Sequence, residues 1–126
     1  MVKELENVPA ENAFLLFNGP KINNLYELAE SLENMKETSF RHHVTGQKND
    51  FSNWVRDIIG DKELAAKLLT TNNRTRMANM VRDRISQLEA LESTSHIKAL
   101  LRYGIIDFLV GIVIGVVVGV ILSSLL

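Results

Sequence analysis

Five residues in the middle of the chain have side chains suited to holding a metal ion or moving a proton: His42, His43, Asp50, Asp57 and Asp61. An imidazole nitrogen grouped with two or three carboxylates is a donor set for a divalent ion such as Zn²⁺ or Mn²⁺. Read that way, His43 and the neighbouring carboxylates would serve a metal-dependent enzyme. A plainer assignment accounts for each residue separately. Asp50 and Asp61 stand at helix starts, where a carboxylate accepts backbone N–H groups and meets the positive end of the helix dipole. Asp57 falls on the polar side of its helix. One histidine then bonds a capping aspartate, and the other faces solvent. Nucleophilic catalysis has less to draw on. There is no cysteine and no serine in a nucleophile elbow, and Asn18-Gly19-Pro20-Lys21 lacks the glycine spacing of a phosphate loop. The expectation is a protein that is not an enzyme and carries no metal or cofactor. Zero cysteines also excludes disulfides and thiolate metal sites.

The elements that would position these residues are helical. Residues 1–12 read as a loose leader. The apolar run Ala13-Phe14-Leu15-Leu16-Phe17 is closed by the turn residues Asn18-Gly19-Pro20. It reads equally as a strand without an evident partner or as an extended segment plugged into a helical core. Asn24 with Glu27 has the spacing of a capping box, and Leu25, Leu28, Ala29, Leu32 and Met35 come after it at helical intervals. A shorter helix covers Ser39 to Val44, and Thr45 to Asn49 reads as a loop. Asn49 or Asp50 caps the next helix, in which Phe51, Trp54, Val55 and Ile58 share a face; Phe51 and Trp54 suit core anchors. Gly60 suits its C-terminal cap. Asp61 caps a further helix through Leu64, Ala65, Leu68 and Leu69, and Thr71-Asn72-Asn73 breaks the chain. A longer helix runs from about Arg74 to Glu92 on a stripe of Met77, Val81, Ile85 and Leu88. Ser93-Thr94-Ser95 then caps a last helix. The fold class is all-α: a domain of four to five helices over residues 13–92, and a segment over 93–126 that ends in a transmembrane helix.

Three stretches resemble a small uncharacterised prokaryotic domain family, mainly archaeal. They are Ser39-Phe40-Arg41-His42-His43-Val44, then Asn49-Asp50-Phe51-Ser52-Asn53-Trp54-Val55, then Gly60-Asp61-Lys62-Glu63-Leu64-Ala65. The shared pattern is an aromatic-then-histidine element, a D-F-x-x-W helix start and a G-D-x-x-L-A helix junction. The resemblance covers roughly residues 13–92 and implies an all-helical fold. It implies no catalytic residues, and it leaves the membrane helix as an addition to the domain.

From Phe108 to Leu126 no residue is charged, and all are Val, Ile, Leu, Phe, Gly or Ser. Nineteen residues span roughly 28 Å as a helix, close to the ~30 Å of a hydrocarbon core. The start of the chain is polar and acidic and does not read as a secretory signal. Residues 1–70 carry 8 basic and 11 acidic groups, and residues 71–126 carry 6 and 4. The basic group consists of Arg74, Arg76, Arg82, Arg84, Lys98 and Arg102. It precedes the apolar span, where anionic headgroups would attract it. Positive charge on that side predicts a single-pass cell-membrane protein, tail-anchored, with its N-terminal domain in the cytoplasm. Four arginines on one helix with few aromatics read as a solvated face, so no nucleic-acid partner is expected.

Within the span, Gly111, Gly115, Gly119 and Ser123 recur every four residues, and Asp107 continues the series toward the cytoplasmic boundary. Linked small residues make a ridge on which a second helix can pack closely. The expected partners are therefore membrane lipid and further copies of the chain, with a different membrane protein's helix as the alternative. Three functions remain open at this level. The first is a self-associating scaffold or accessory subunit that displays its helical domain in the cytoplasm. The second is a small oligomeric channel or transport component with a ring of Asp107 carboxylates. The third is a membrane-tethered enzyme using His43.

Overall fold

The computed structural model describes residues 1–125, and they fall into two compact units that meet between Ala90 and Leu91. In the first unit, most helices begin where a side chain supplies an acceptor that the backbone lacks. Helix α1, Leu25–Asn34, is capped by Asn24, whose Oδ1 accepts the Glu27 N–H at 2.8 Å. The return bond is displaced by one residue, because Glu27 Oε2 accepts the N–H of Asn23, not of Asn24, at 2.6 Å. Helix α2 is Glu37–His43 and has no side-chain cap. Helix α3, Asp50–Trp54, settles the choice of cap in favour of Asn49, which accepts the Ser52 N–H at 2.9 Å. Asp61 caps α4, Lys62–Leu68, by accepting the Leu64 N–H at 3.0 Å. Asn73 does the same for α5, Arg74–Leu125, through the Arg76 N–H. Each bond satisfies one of the donors that a helix start leaves unpaired, and each contributes about 1 kcal/mol.

The apolar run before α1 does have a strand partner. Strand β1, Phe14–Leu15, pairs antiparallel with β2, Lys21–Ile22, with Phe14 opposite Ile22 and Leu15 opposite Lys21. The turn between them closes through the Gly19 N–H on the Leu16 carbonyl at 3.2 Å. Asn18 takes the left-handed position of that turn at φ 52°, which Asn tolerates better than most residues. Residues 1–12 are not loose. Leu5 is buried, the Val8 N–H donates to the Asn23 carbonyl at 2.8 Å, and the Trp54 indole N–H donates to the Asn12 carbonyl at 2.8 Å.

Helix α3 does not end as periodicity predicts. It continues into one π-helical turn, Val55–Ile59, before Gly60 stops it. A π turn inserts an extra residue and rotates the residues after it around the helix axis. The expected core position Ile58 is therefore 38% exposed, and Ile59 is buried in its place at 5%. Leu69, expected on the α4 stripe, lies past the helix end and is exposed. The core gathers Leu25, Leu28 and Leu32 of α1, Phe40 of α2, Phe51 and Val55, and Leu64 and Leu68 of α4. Helix α5 closes it with Met77, Ala78, Val81, Ile85 and Leu88.

The cap expected at Ser93-Thr94-Ser95 is absent. These residues lie inside α5, and the Ser95 hydroxyl donates back to the Glu92 carbonyl at 2.7 Å. Serine inside a helix can bond to the preceding turn, so the residue type alone does not start a new helix. The second unit, from Leu91 onward, is helical throughout its described residues.

Gly60 has φ 86°, and no atom lies within 4 Å of where its Cβ would stand. A side chain there meets a backbone penalty without a clash. We predict that Gly60→Ala lowers the stability of the folded domain by about 1 kcal/mol. Gly46→Ala, also in open space but outside the left-handed region, should be near neutral. Equal thermal-melting midpoints for the two variants would contradict this.

Candidate functional site

His43, on the last turn of α2, is almost fully buried, and both of its ring nitrogens are engaged. Nε2 accepts the backbone N–H of Phe17 at 2.9 Å. The proton of the neutral ring therefore sits on Nδ1, which donates to Asp50 Oδ2 at 3.0 Å. Lys48 Nζ reaches the same carboxylate oxygen at 3.1 Å. The Phe14 and Phe51 rings pack against the imidazole, with centroids 4.9 and 5.3 Å away. His42 is exposed, and its ring stacks on Phe17 at 4.1 Å. One histidine bonds an aspartate and the other faces solvent, as expected, but Asp50 is not the capping residue: Asn49 caps α3, and Asp50 spends its carboxylate on His43 and Lys48.

The remaining carboxylates lie in different pairings. Asp57 is exposed and bonded by Arg56 at 2.8 Å. Asp61 is bonded by Arg84 Nε at 2.7 Å, with side-chain exposures of 2% for the aspartate and 17% for the arginine. The five residues that suggested a metal set thus divide among separate arrangements. Among the described residues no cluster of three or more histidine, aspartate or glutamate side chains has the geometry to hold a metal ion.

Neighbouring motif residues secure the same region. Asn49 Nδ2 donates to the Leu68 carbonyl at 3.0 Å, and Ser52 Oγ donates to the Ala65 carbonyl at 2.8 Å. Both bonds tie the start of α3 to α4. The residues of the D-F-x-x-W and G-D-x-x-L-A stretches are packing, capping and cross-linking groups.

Three of the arginines expected at the membrane surface also pair with residues of the first unit. Arg74 donates to the carbonyls of Leu32 and Glu33, the last turn of α1, and pairs with Glu37. Arg82 grips Glu33 through two bonds of 2.9 Å each, which hold the Glu33 carboxyl below its ordinary range. Arg84 joins Asp61 and also reaches Glu63 at 3.0 Å. The partners lie 21 to 49 residues away in the chain, beyond the reach of local pattern. Lys98 and Arg102 are the two cations in the second unit, and they lie just before the apolar run.

The apolar end of α5 is the one helix among the described residues long and apolar enough to cross a membrane. Its most apolar eighteen-residue stretch has a mean hydropathy of 3.0, and none of it is buried within the chain. At Gly111, Gly115 and Gly119 no neighbouring atom lies within 4 Å of the place a Cβ would take. The ridge is open. It is also oblique. Each four-residue step advances about 400°, a drift of about 40°, so Asp107 and Ser123 lie about 80° to either side of Gly115. The three glycines make the central strip, and Asp107 and Ser123 lie on its flanks. The Ser123 hydroxyl donates to the Val120 carbonyl at 2.9 Å, which satisfies it without water.

The chain is thus a fold of short capped helices closed by one long helix. It matches the family of unknown function DUF5752 over residues 9–103, and it belongs to that family. The matched region extends beyond the expected 13–92 at both ends. It takes in part of the docked N-terminal segment and ends at Tyr103, short of the uncharged run that begins at Phe108. No curated protein and no solved structure matches the chain significantly.

The paired charges are open to test. Removing Arg84 leaves the Asp61 carboxylate buried without its cation. Arg84→Ala should therefore cost about 3 kcal/mol, whereas Arg82→Ala, at an exposed pair, should cost far less. Chemical denaturation of both variants measures this, and similar losses would contradict it. At Asp50, burial acts to raise the carboxyl pKa, but the hydrogen bonds of His43 and Lys48 with the Lys48 charge outweigh it, and the net shift is below the ordinary 3.8. A depressed carboxyl contributes stability above its unfolded-state pKa and loses it as the pH falls toward the folded value. The stability gap between the native chain and Asp50→Asn should accordingly narrow as the pH drops below 3.8. A gap that stays constant from neutral to acid pH would exclude the pairing.

Proposed function

We propose that the protein is a membrane-anchored scaffold or accessory subunit. In this reading the apolar end of α5 crosses the membrane and associates with copies of itself along Gly111, Gly115 and Gly119. The folded first unit is then presented in several copies on the cytoplasmic side. The observation that carries the reading is the open glycine strip on an apolar helix. In lipid, apolar side chains gain nothing from leaving one solvent-like surface for another, so helix association depends on close packing. Three glycines in line permit the backbones of two helices to approach, where van der Waals contact and Cα–H···O bonds accumulate. The oblique path of the strip favours a right-handed crossing of about −40°.

Lys98 and Arg102 support the orientation, since cations flanking a span tend to remain on the cytoplasmic side. They would contact anionic headgroups, with Arg76, also exposed, as a further cation of the domain. A structural role for the domain is supported by what its motif residues do, because His43, Asp50, Trp54 and Asp61 all spend their polar atoms on internal partners. The flanking position of Asp107 favours an interfacial carboxylate over a carboxylate ring at a pore.

The test is energy transfer between donor- and acceptor-labelled full-length chains in liposomes. The native chain should show transfer that Gly115→Ile reduces at least severalfold, while Val116→Ile, off the strip, leaves it unchanged. Transfer unaffected by Gly115→Ile would exclude the glycine strip as the interface.

A further inference from the structure

We propose that His43 is a pH-sensitive latch on the β1–β2 turn. Its two nitrogens play opposite parts. Nε2 is an acceptor for the Phe17 N–H, and Nδ1 is a donor to Asp50. Protonation affects the two bonds in opposite directions. A second proton can be placed only on Nε2, where it would face the Phe17 N–H and abolish that bond. The bond from Nδ1 to the carboxylate becomes charge-assisted and strengthens. Protonation therefore does not expel His43 from its place between Phe14 and Phe51. It keeps the ring on Asp50 and releases the backbone of Phe17.

Three titratable groups stand around the ring. Asp50, on α3, meets Nδ1 at 3.0 Å, and Lys48 meets the same carboxylate oxygen at 3.1 Å. His42, with its ring centroid 5.0 Å away, is the third. A proton on His42 would place a cation over the Phe17 ring and hold that side chain. The released part is thus the Phe17 backbone and the adjoining turn, with the side chain still tethered. That turn forms one wall of a cleft of about 660 Å³, where Leu16, Asn18 and Lys21 face Glu30 and Met35 of the α1 side. Unlatching changes the shape of this cleft while the helical core stays packed.

The experiment is a titration of the full-length protein in detergent micelles from about pH 8 to about pH 5, the range over which imidazoles change charge. Imidazole nitrogen shifts report the state of His43, and amide hydrogen exchange, corrected for its intrinsic pH dependence, reports Phe17. Protection at Phe17 should fall about tenfold as His43 protonates, the order set by losing one partly buried hydrogen bond. Protection at Val55 in the core should not change. His43→Gln, whose side-chain oxygen can accept at the Nε2 position without titrating, should show no pH-dependent loss at Phe17. Protonation of His43 without change at Phe17 would overturn the proposal. So would a ring that stays neutral down to the acid end of the titration, or a pH-dependent loss that persists in His43→Gln.

Discussion

The Asp61–Arg84 pair is the constraint on which the first unit depends. One carboxylate performs two tasks there. Oδ1 receives the Leu64 N–H and starts α4, and Oδ2 receives Arg84 Nε and fixes α4 to α5. A carboxylate this buried is tolerable only with its cation and hydrogen bonds in place. The pair therefore specifies where α5 docks more than it adds net stability. Gly60 precedes it because the chain must reverse sharply between the π turn and α4, and the left-handed backbone accomplishes this. With α4 fixed, the Asn49 and Ser52 side chains can reach its Leu68 and Ala65 carbonyls, which sets α3. Asp50 then stands where His43 can bond it.

Arginine is suited to this work because its planar head carries several donors in fixed directions. Arg74 uses them on carbonyls at the end of α1, where a helix leaves acceptors unpaired. Helix α5 thereby closes the domain by two means: an apolar stripe against the core, and three guanidinium groups that meet the polar ends of the other elements. Beyond Phe108 the same helix contains no charged residue at all. In lipid its backbone groups must all be satisfied internally, and an α-helix achieves that.

Much of this was legible in the residues. Asn24, Asn49 and Asp61 announce helix starts because a short polar side chain before an apolar stripe has a definite use. The stripe of Met77, Val81, Ile85 and Leu88 is buried as its spacing requires. The misreadings have physical causes. Strand β2 has two residues, too few to show alternation. In Ile58-Ile59 both side chains are apolar, so a π turn that exchanges their roles leaves no trace in composition. Ser93-Thr94-Ser95 resembles a cap, but with no proline or glycine nearby the helix simply continues. The ion pairs of Arg74, Arg82 and Arg84 could not be foreseen, because a partner tens of residues away has no local signature. The His43–Phe17 bond was illegible for the same reason, since its acceptor meets a backbone group 26 residues earlier.

On the proposed function, the apolar end of α5 is an interface as well as an anchor. The most direct measurement is the native mass of the intact protein in a mild detergent, where each chain contributes 14.2 kDa. A defined oligomer, at a whole-number multiple of that mass and stable to dilution within the micelle, is the expected result. A protein that is monomeric at every concentration would contradict the account.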